Sequence, residues 1–192
     1  MNQVAKHWKD YECIDAGSGE KLERWKDIIL RRPDPQVIWP MEENEMWRHP
    51  HAHYHRSKSG GGSWEFKKKC KESWTISYGE LRFKVSPTGF KHTGLFPEQA
   101  ANWDWMMDTI RESGRSDLRV LNLFAYTGGA TMACASAGAA EVVHVDASKG
   151  MVNWAKENMV LSHLEQHKIR FIVDDVLKFV AREKRRGRTY HA

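Results

Sequence analysis

Three short apolar runs, each followed by a stretch able to form a helix, constrain this chain more than any other feature. They are Val120 to Phe124, Val142 to Val145 and Ile169 to Val173. Runs this short and this largely apolar suit strands buried on both faces, as in a parallel sheet. The repeated strand-then-helix order predicts an α/β fold in which the first crossover is right-handed. Upstream, Pro97 can open a helix, Trp103, Met106, Met107 and Ile110 give it one apolar face, and Gly114 can close it.

The character of the chain changes near residue 90. Residues 1–90 read as a β-rich region and residues 91–192 as an α/β ligand-binding domain. Tyr11 to Asp15 suits a short strand, with a turn at Gly17-Ser18-Gly19. Pro33, Pro35, Pro40 and Pro50 exclude long helices from the next stretch. Ser59 to Ser63, with three central glycines, reads as a flexible connector. Trp64 to Lys68, Trp74 to Tyr78 and Leu81 to Val85 then predict a small antiparallel sheet.

Composition limits the class of protein. A 192-residue chain that is 41% hydrophobic and 29% charged can bury a core and stay in water. No apolar run approaches the roughly 20 residues needed to span a bilayer. Met1 to Trp8 lacks the apolar core of a secretory leader. Three widely spaced cysteines, Cys13, Cys70 and Cys134, suggest neither a disulfide framework nor a CxxC metal motif. The expectation is a cytoplasmic protein. A net charge of +5 permits a polyanionic partner without requiring one.

The chemistry is expected at the three strand-to-helix junctions. Leu123-Phe124-Ala125-Tyr126-Thr127-Gly128-Gly129 carries a strand into a small-residue helix, and its two glycines can let the backbone approach a ligand. This is where nucleotide-like ligands bind in doubly wound folds, although an ordinary tight turn would look the same and no GxGxxG is present. The second junction ends in Asp146, about twenty residues after the glycines, where an acid can accept hydrogen bonds from both ribose hydroxyls. Ser148 suits the N-cap of the following helix. The third carries Asp174 and Asp175; one can face an exocyclic adenine amine while the other caps a helix whose apolar face is Val176, Phe179 and Val180.

The residues Asn122 to Ala130 (Asn-Leu-Phe-Ala-Tyr-Thr-Gly-Gly-Ala), Val-Asp-Ala-Ser around Asp146 and Val-Asp-Asp-Val around Asp175 carry a resemblance. They resemble the class I S-adenosylmethionine-dependent methyltransferases related to the bacterial 23S rRNA cytosine-C5 enzymes. Lys91 to Gln99 is similar to the segment those proteins carry just before the domain, with Glu98-Gln99-Ala100 standing where Asp-Gln-Arg is usual. The resemblance covers roughly residues 74 to 192. It implies a Rossmann-like parallel sheet, a partial methyltransferase fold, with S-adenosylmethionine as cofactor. Phe124, Tyr126, Thr127 and Gly128 would surround the methionine part, Asp146 would hold the ribose and Asp175 would face adenine. Phe96 and Gln99 would close over the cofactor, and Asn122, Ala147 and Ser148 belong to the same set.

The implied function is methylation of an RNA base, with rRNA as the partner. Methylation of a small molecule or protein, or a non-catalytic module binding RNA or S-adenosylmethionine, are the alternatives. The family continues into a fourth strand and an Asp-Pro-Pro-type acceptor loop, and Thr189 to Ala192 would begin that strand. The chain is therefore expected to bind cofactor without catalytic residues or methyl transfer of its own. Its first domain strand is expected to expose an apolar edge, a route to self-association.

Other features have blander readings. His49, His51, His53 and His55 alternate, but Pro50 suggests a loop and neither cysteine nor acid joins them, so no metal site is expected. Lys67, Lys68, Lys69 and Lys71 between Trp64 and Trp74 can grip phosphates, or simply be solvated. Arg182, Lys184, Arg185, Arg186 and Arg188 suit the dipole at a helix end. Cys134, among alanines, reads as a core residue.

Overall fold

The computed structural model describes residues 4–5, 7–58 and 60–192. Ser59 of the expected connector, and Met1 to Gln3 and Lys6 of the N-terminus, lie outside the described residues. The chain forms two compact units: residues 7–78 with 85–95, and chiefly residues 79–84 with 96–192.

The first unit is built on a five-stranded sheet. Its strands are β1 (Tyr11–Gly17), β2 (Glu20–Trp25), β3 (Ile28–Pro33), β4 (Ala52–Arg56) and β5 (Gly62–Phe66), adjacent in chain order. All neighbours are antiparallel except β3 and β4, which run parallel. Ser18 (φ 49°) and Gly19 (φ 80°) make the left-handed turn between β1 and β2. The proline-rich stretch after β3 holds one short 3-10 turn, Glu45–Arg48, capped by the Asn44 side chain. Leu22, Trp25, Leu30, Ala52 and Tyr54 form buried apolar ground. Among them sits a buried ion pair: Arg32 donates through Nε (2.5 Å) and Nη2 (2.8 Å) to the two Glu23 carboxylate oxygens. Tyr11 donates its hydroxyl to the same carboxylate at 2.9 Å. Its partners satisfy the buried charge, which would otherwise be costly.

Two expectations for this region are corrected. The run beginning at Trp64 pairs with β4, not with Trp74–Tyr78 (β6) and Leu81–Val85 (β7), which form a two-stranded sheet of their own. The glycine-rich segment is also a tight hairpin loop and not a linker. The Ser57 N–H donates to Gly61 O at 3.1 Å, and a Cβ on Gly62 would lie 2.1 Å from His55 O. Glycine is needed there for close strand approach, a role composition alone does not separate from flexibility.

The second unit is α/β. A 3-10 turn, Pro97–Gln99, leads into α1 (Ala100–Glu112), followed by β8 (Arg119–Leu123), α2 (Gly129–Ser136), β9 (Glu141–Asp146), α3 (Lys149–Leu161), β10 (Ile169–Val173) and α4 (Val176–Arg185). The sheet order is β10-β9-β8, all parallel, as expected from the three apolar runs. Central β9 is buried from Glu141 to Val145. Trp103 and Ile110 turn the apolar face of α1 inward, and Gly114 (φ 62°) follows that helix in the left-handed region.

The expected bare edge of β8 is partly covered. His191 donates its backbone N–H to Arg119 O at 2.9 Å, and Leu121 donates to Ala192 O at 2.7 Å. On α4, Val176 and Phe179 are buried but Val180 is 38% exposed. The inward place one turn on belongs to Glu183, seven residues after Val176, which pairs with Arg186 and Arg188 and accepts the Tyr190 hydroxyl.

Candidate ligand-binding site

The carboxyl ends of β8, β9 and β10 lie side by side, because a parallel sheet in register puts all three strand-to-helix junctions on one edge. The turn after β8 is unusual in its backbone. Phe124 (φ 53°), Tyr126 (φ 51°) and Gly128 (φ 87°) alternate into the left-handed region. Such conformations cost about 1–3 kcal/mol each for ordinary side chains and persist where surrounding contacts impose them. Here the contacts are visible. Ala125 donates its N–H to Val145 O at 3.0 Å, and Tyr126 donates its N–H to Asp146 Oδ2 at 2.8 Å. The turn is thus hung from the end of β9.

Asp146 is the hub of the edge. Its Oδ1 accepts the Ser148 N–H at 2.8 Å, and its backbone oxygen accepts the Asp174 N–H at 3.1 Å. Each carboxylate oxygen holds one backbone donor and retains a lone pair. Ser148 caps α3 through its hydroxyl, as expected from the sequence, and Ala147 between them is exposed. At the third junction Asp175 caps α4, with Oδ1 accepting the Lys178 N–H at 2.9 Å. The Asp174 carboxylate pairs with Arg182, whose hydrogen bond and charge hold it below the usual carboxylate range.

The aromatic candidates border this edge. Phe124, beside the strained turn, is 75% exposed. The Tyr126 ring lies 5.3 Å from that of Phe96 in a tilted arrangement. Gln99 is exposed and accepts a hydrogen bond from Asn102 at 2.9 Å. Thr127 is buried, and its backbone oxygen accepts Asn158 Nδ2 at 2.9 Å.

The two glycines are required for reasons other than ligand approach. A Cβ on Gly129 would meet Trp103 Cζ2 at 2.5 Å, so α1 packs directly on the start of α2. A Cβ on Gly128 would face Ala155, Met132 and His144 in the protein interior. Their small size serves helix packing, and Gly128 also supplies the left-handed turn; neither role excludes a ligand from the backbone of the turn.

Beneath the turn lies a buried polar chain that the sequence reading missed. Asn122 Nδ2 donates to Thr131 Oγ1 at 2.8 Å, and that hydroxyl lies 2.9 Å from His144 Nδ1. Asn122 thus turns its amide to Thr131. The Nε2 atom of His144 has no hydrogen-bond partner among the described residues, and burial pushes this imidazole down to about 4. Asn158 braces the other side, accepting the Lys84 N–H at 2.8 Å while it holds Thr127. Polar residues inside otherwise apolar strands, as at Asn122 and His144, are the sequence signals that point here. Cys134 is buried in α2 and its thiol is pushed up to about 11 by burial, which leaves it inert as a nucleophile.

Residues 39–191 match the family model described as S-adenosylmethionine-dependent methyltransferase. The chain is 36% identical over 157 residues to a ribosomal RNA large subunit methyltransferase K/L of Shewanella frigidimarina, a match covering 82% of this chain and 20% of that protein. A protein of the same description from Colwellia psychrerythraea is 34% identical over 156 residues, covering 81% and 19%. The chain thus spans about a fifth of the length of these curated relatives. Among solved structures, the SAM-dependent methyltransferase from Agrobacterium tumefaciens superposes with a TM-score of 0.89 at 43% identity, over 95% of this chain and 58% of that one. Methanocaldococcus jannaschii Trm5 in complex with adenosine superposes with a TM-score of 0.56 at 16% identity, covering 88% and 49%, a likeness of fold alone.

Proposed function

Because the chain belongs to the S-adenosylmethionine-dependent methyltransferase family, we propose that the edge formed by β8, β9 and β10 binds this cofactor and serves methyl transfer to an RNA base. The observation that carries the reading is the hub at Asp146, whose carboxylate ties the strained Tyr126 turn to the start of α3. The residues fit the group. The Asp146 carboxylate keeps accepting capacity for two vicinal hydroxyls, as a ribose requires. Asp175 retains its Oδ2 beside the capping Oδ1 and can accept from an exocyclic amine. Exposed Phe124 with Tyr126 and Phe96 gives aromatic surface suited to a sulfonium cation.

When bound, S-adenosylmethionine supplies an electrophilic methyl group for a nucleophilic atom of the acceptor. What this chain contributes is binding and orientation. Asp146 fixes the Tyr126 amide, Asn158 fixes the Thr127 carbonyl, and the Asn122-Thr131-His144 chain stiffens the floor under both. Two relatives are named as ribosomal RNA large-subunit methyltransferases, and this supports an RNA acceptor. Attack at cytosine C5 would call for a thiolate nucleophile, and Cys134 in its buried helix does not supply one. We therefore place the acceptor as an rRNA base without assigning the ring position. Calorimetry with S-adenosylmethionine tests the cofactor site, and labelled methyl transfer to large-subunit rRNA tests the acceptor. Absence of cofactor binding by the folded chain would overturn the first reading, and transfer to a small molecule or protein but not to RNA the second.

A further inference from the structure

We propose that His53, His55 and Glu65 form a binding site for a divalent transition metal, zinc by its ligand chemistry, that clips β4 to β5. Strand periodicity puts His53 and His55 on one face of β4, and their rings lie 4.0 Å apart. The antiparallel register sets Glu65 of β5 opposite His53, and Glu65 Oε2 lies 2.8 Å from His55 Nε2. One ligand atom from each of the three residues lies within 4.8 Å of the others. Two imidazoles and a carboxylate are a ligand set zinc takes, with ligand bonds of about 2.0–2.2 Å, so modest side-chain rotation closes the site.

Two features of the sequence speak against a metal here, the Pro50 context and the lack of an acid among the histidines, and the structure removes both. His53 and His55 stand on a strand, and an acid does join them, supplied across the sheet from a residue ten positions away. The other two histidines of the alternating run are placed differently. His51 spends Nδ1 on the Ile29 N–H, and His49 precedes Pro50 outside the strand.

The surroundings match those of a ligand histidine. Glu20 Oε1 lies 2.7 Å from His53 Nε2, and Arg31 fixes that carboxylate in turn. An ionised carboxylate only accepts, so His53 Nε2 carries the proton and Nδ1 keeps its lone pair. A carboxylate holding the far nitrogen is the usual outer partner of a metal-bound imidazole. The His53 side chain is 12% exposed, while His55 and Glu65 are about half exposed, so one wall is fixed and the other open to a water ligand. Coordination through His55 Nε2 takes the place of its hydrogen bond to Glu65, and the single N–H of the neutral imidazole then sits on Nδ1.

The test uses the full chain, stripped with chelator and titrated with zinc chloride by calorimetry near pH 7, with cobalt as a visible reporter of coordination. The expected result is one equivalent bound, a tetrahedral cobalt spectrum, and a zinc-dependent rise in melting temperature. His55→Ala and Glu65→Gln should each weaken binding about tenfold or more, and a Cys13→Ser/Cys70→Ser variant should bind as the wild type does. His55 and Glu65 are exposed enough for these changes to leave the fold intact, which the metal-free melting temperature verifies. Zinc affinity unchanged in a His53→Ala/His55→Ala variant, loss of binding in the cysteine variant, or no binding below millimolar zinc would each overturn the proposal.

Discussion

The Asp146 carboxylate accepts the backbone N–H of Tyr126 at 2.8 Å, joining two strand ends twenty residues apart. Asp146 therefore has two jobs on the proposed reading, shaping the turn and receiving the ribose. Asp146→Ala should weaken S-adenosylmethionine binding by about 1–3 kcal/mol, because a charged acceptor is lost. Calorimetry on both proteins decides the matter, and equal affinities would remove Asp146 from the site.

Gly129 and Trp103 give a prediction about packing. A Cβ 2.5 Å from Trp103 Cζ2 overpacks a buried contact, so Gly129→Ala should destabilise the fold by about 1–3 kcal/mol. In a Trp103→Leu background the added cost should shrink, since the obstructing ring is gone. Denaturant midpoints of the four proteins measure this. An unchanged cost in that background would mean that the strain arises elsewhere.

Stability should fall with acidification in two separate windows. Burial holds His144 near about 4, whereas an unfolded histidine titrates near about 6.5. Between these values the unfolded chain binds a proton that the folded chain does not, so stability drops as pH is lowered through this range. Glu23 acts further down. Burial alone would raise its carboxyl, but the charge and hydrogen bonds of Arg32 outweigh this and hold it low. Its contribution is present above the unfolded value of about 4.3 and is lost as pH falls below it. Unfolding curves from pH 7 to pH 3 should show both windows, and His144→Gln should reduce the slope of only the upper one, to which His51, His53 and His92, also held low by burial, contribute as well. An upper slope identical in wild type and variant would exclude His144 as its source.

Lys67 and Lys69 are exposed just beyond β5, while Lys68 donates through Nζ to His49 O at 2.9 Å. If this cluster contacts RNA phosphates, Lys67→Glu/Lys69→Glu should lower RNA affinity and flatten its salt dependence by about 0.7 per lost contact on a single strand. Filter binding across a salt series reads the slope. An unaltered slope would place the RNA contacts elsewhere on the chain.

The amino-acid sequence by itself determined the parallel sheet, the helix that follows each strand, and the acids at the strand ends. Those properties are local: apolar runs, caps such as Ser148 and Asp175, and a glycine at a turn are legible because their causes lie within a few residues. What the tertiary structure decided is partnership between distant residues. Only the folded chain shows that Gly129 is small because Trp103 lies against it, or that Asp146 spends a lone pair on Tyr126. The same holds for Glu65 meeting His55 and for Trp64 pairing with β4. Strand pairing and helix packing are chosen by the burial of whole faces at once, and a face is assembled from residues that no short stretch of sequence contains.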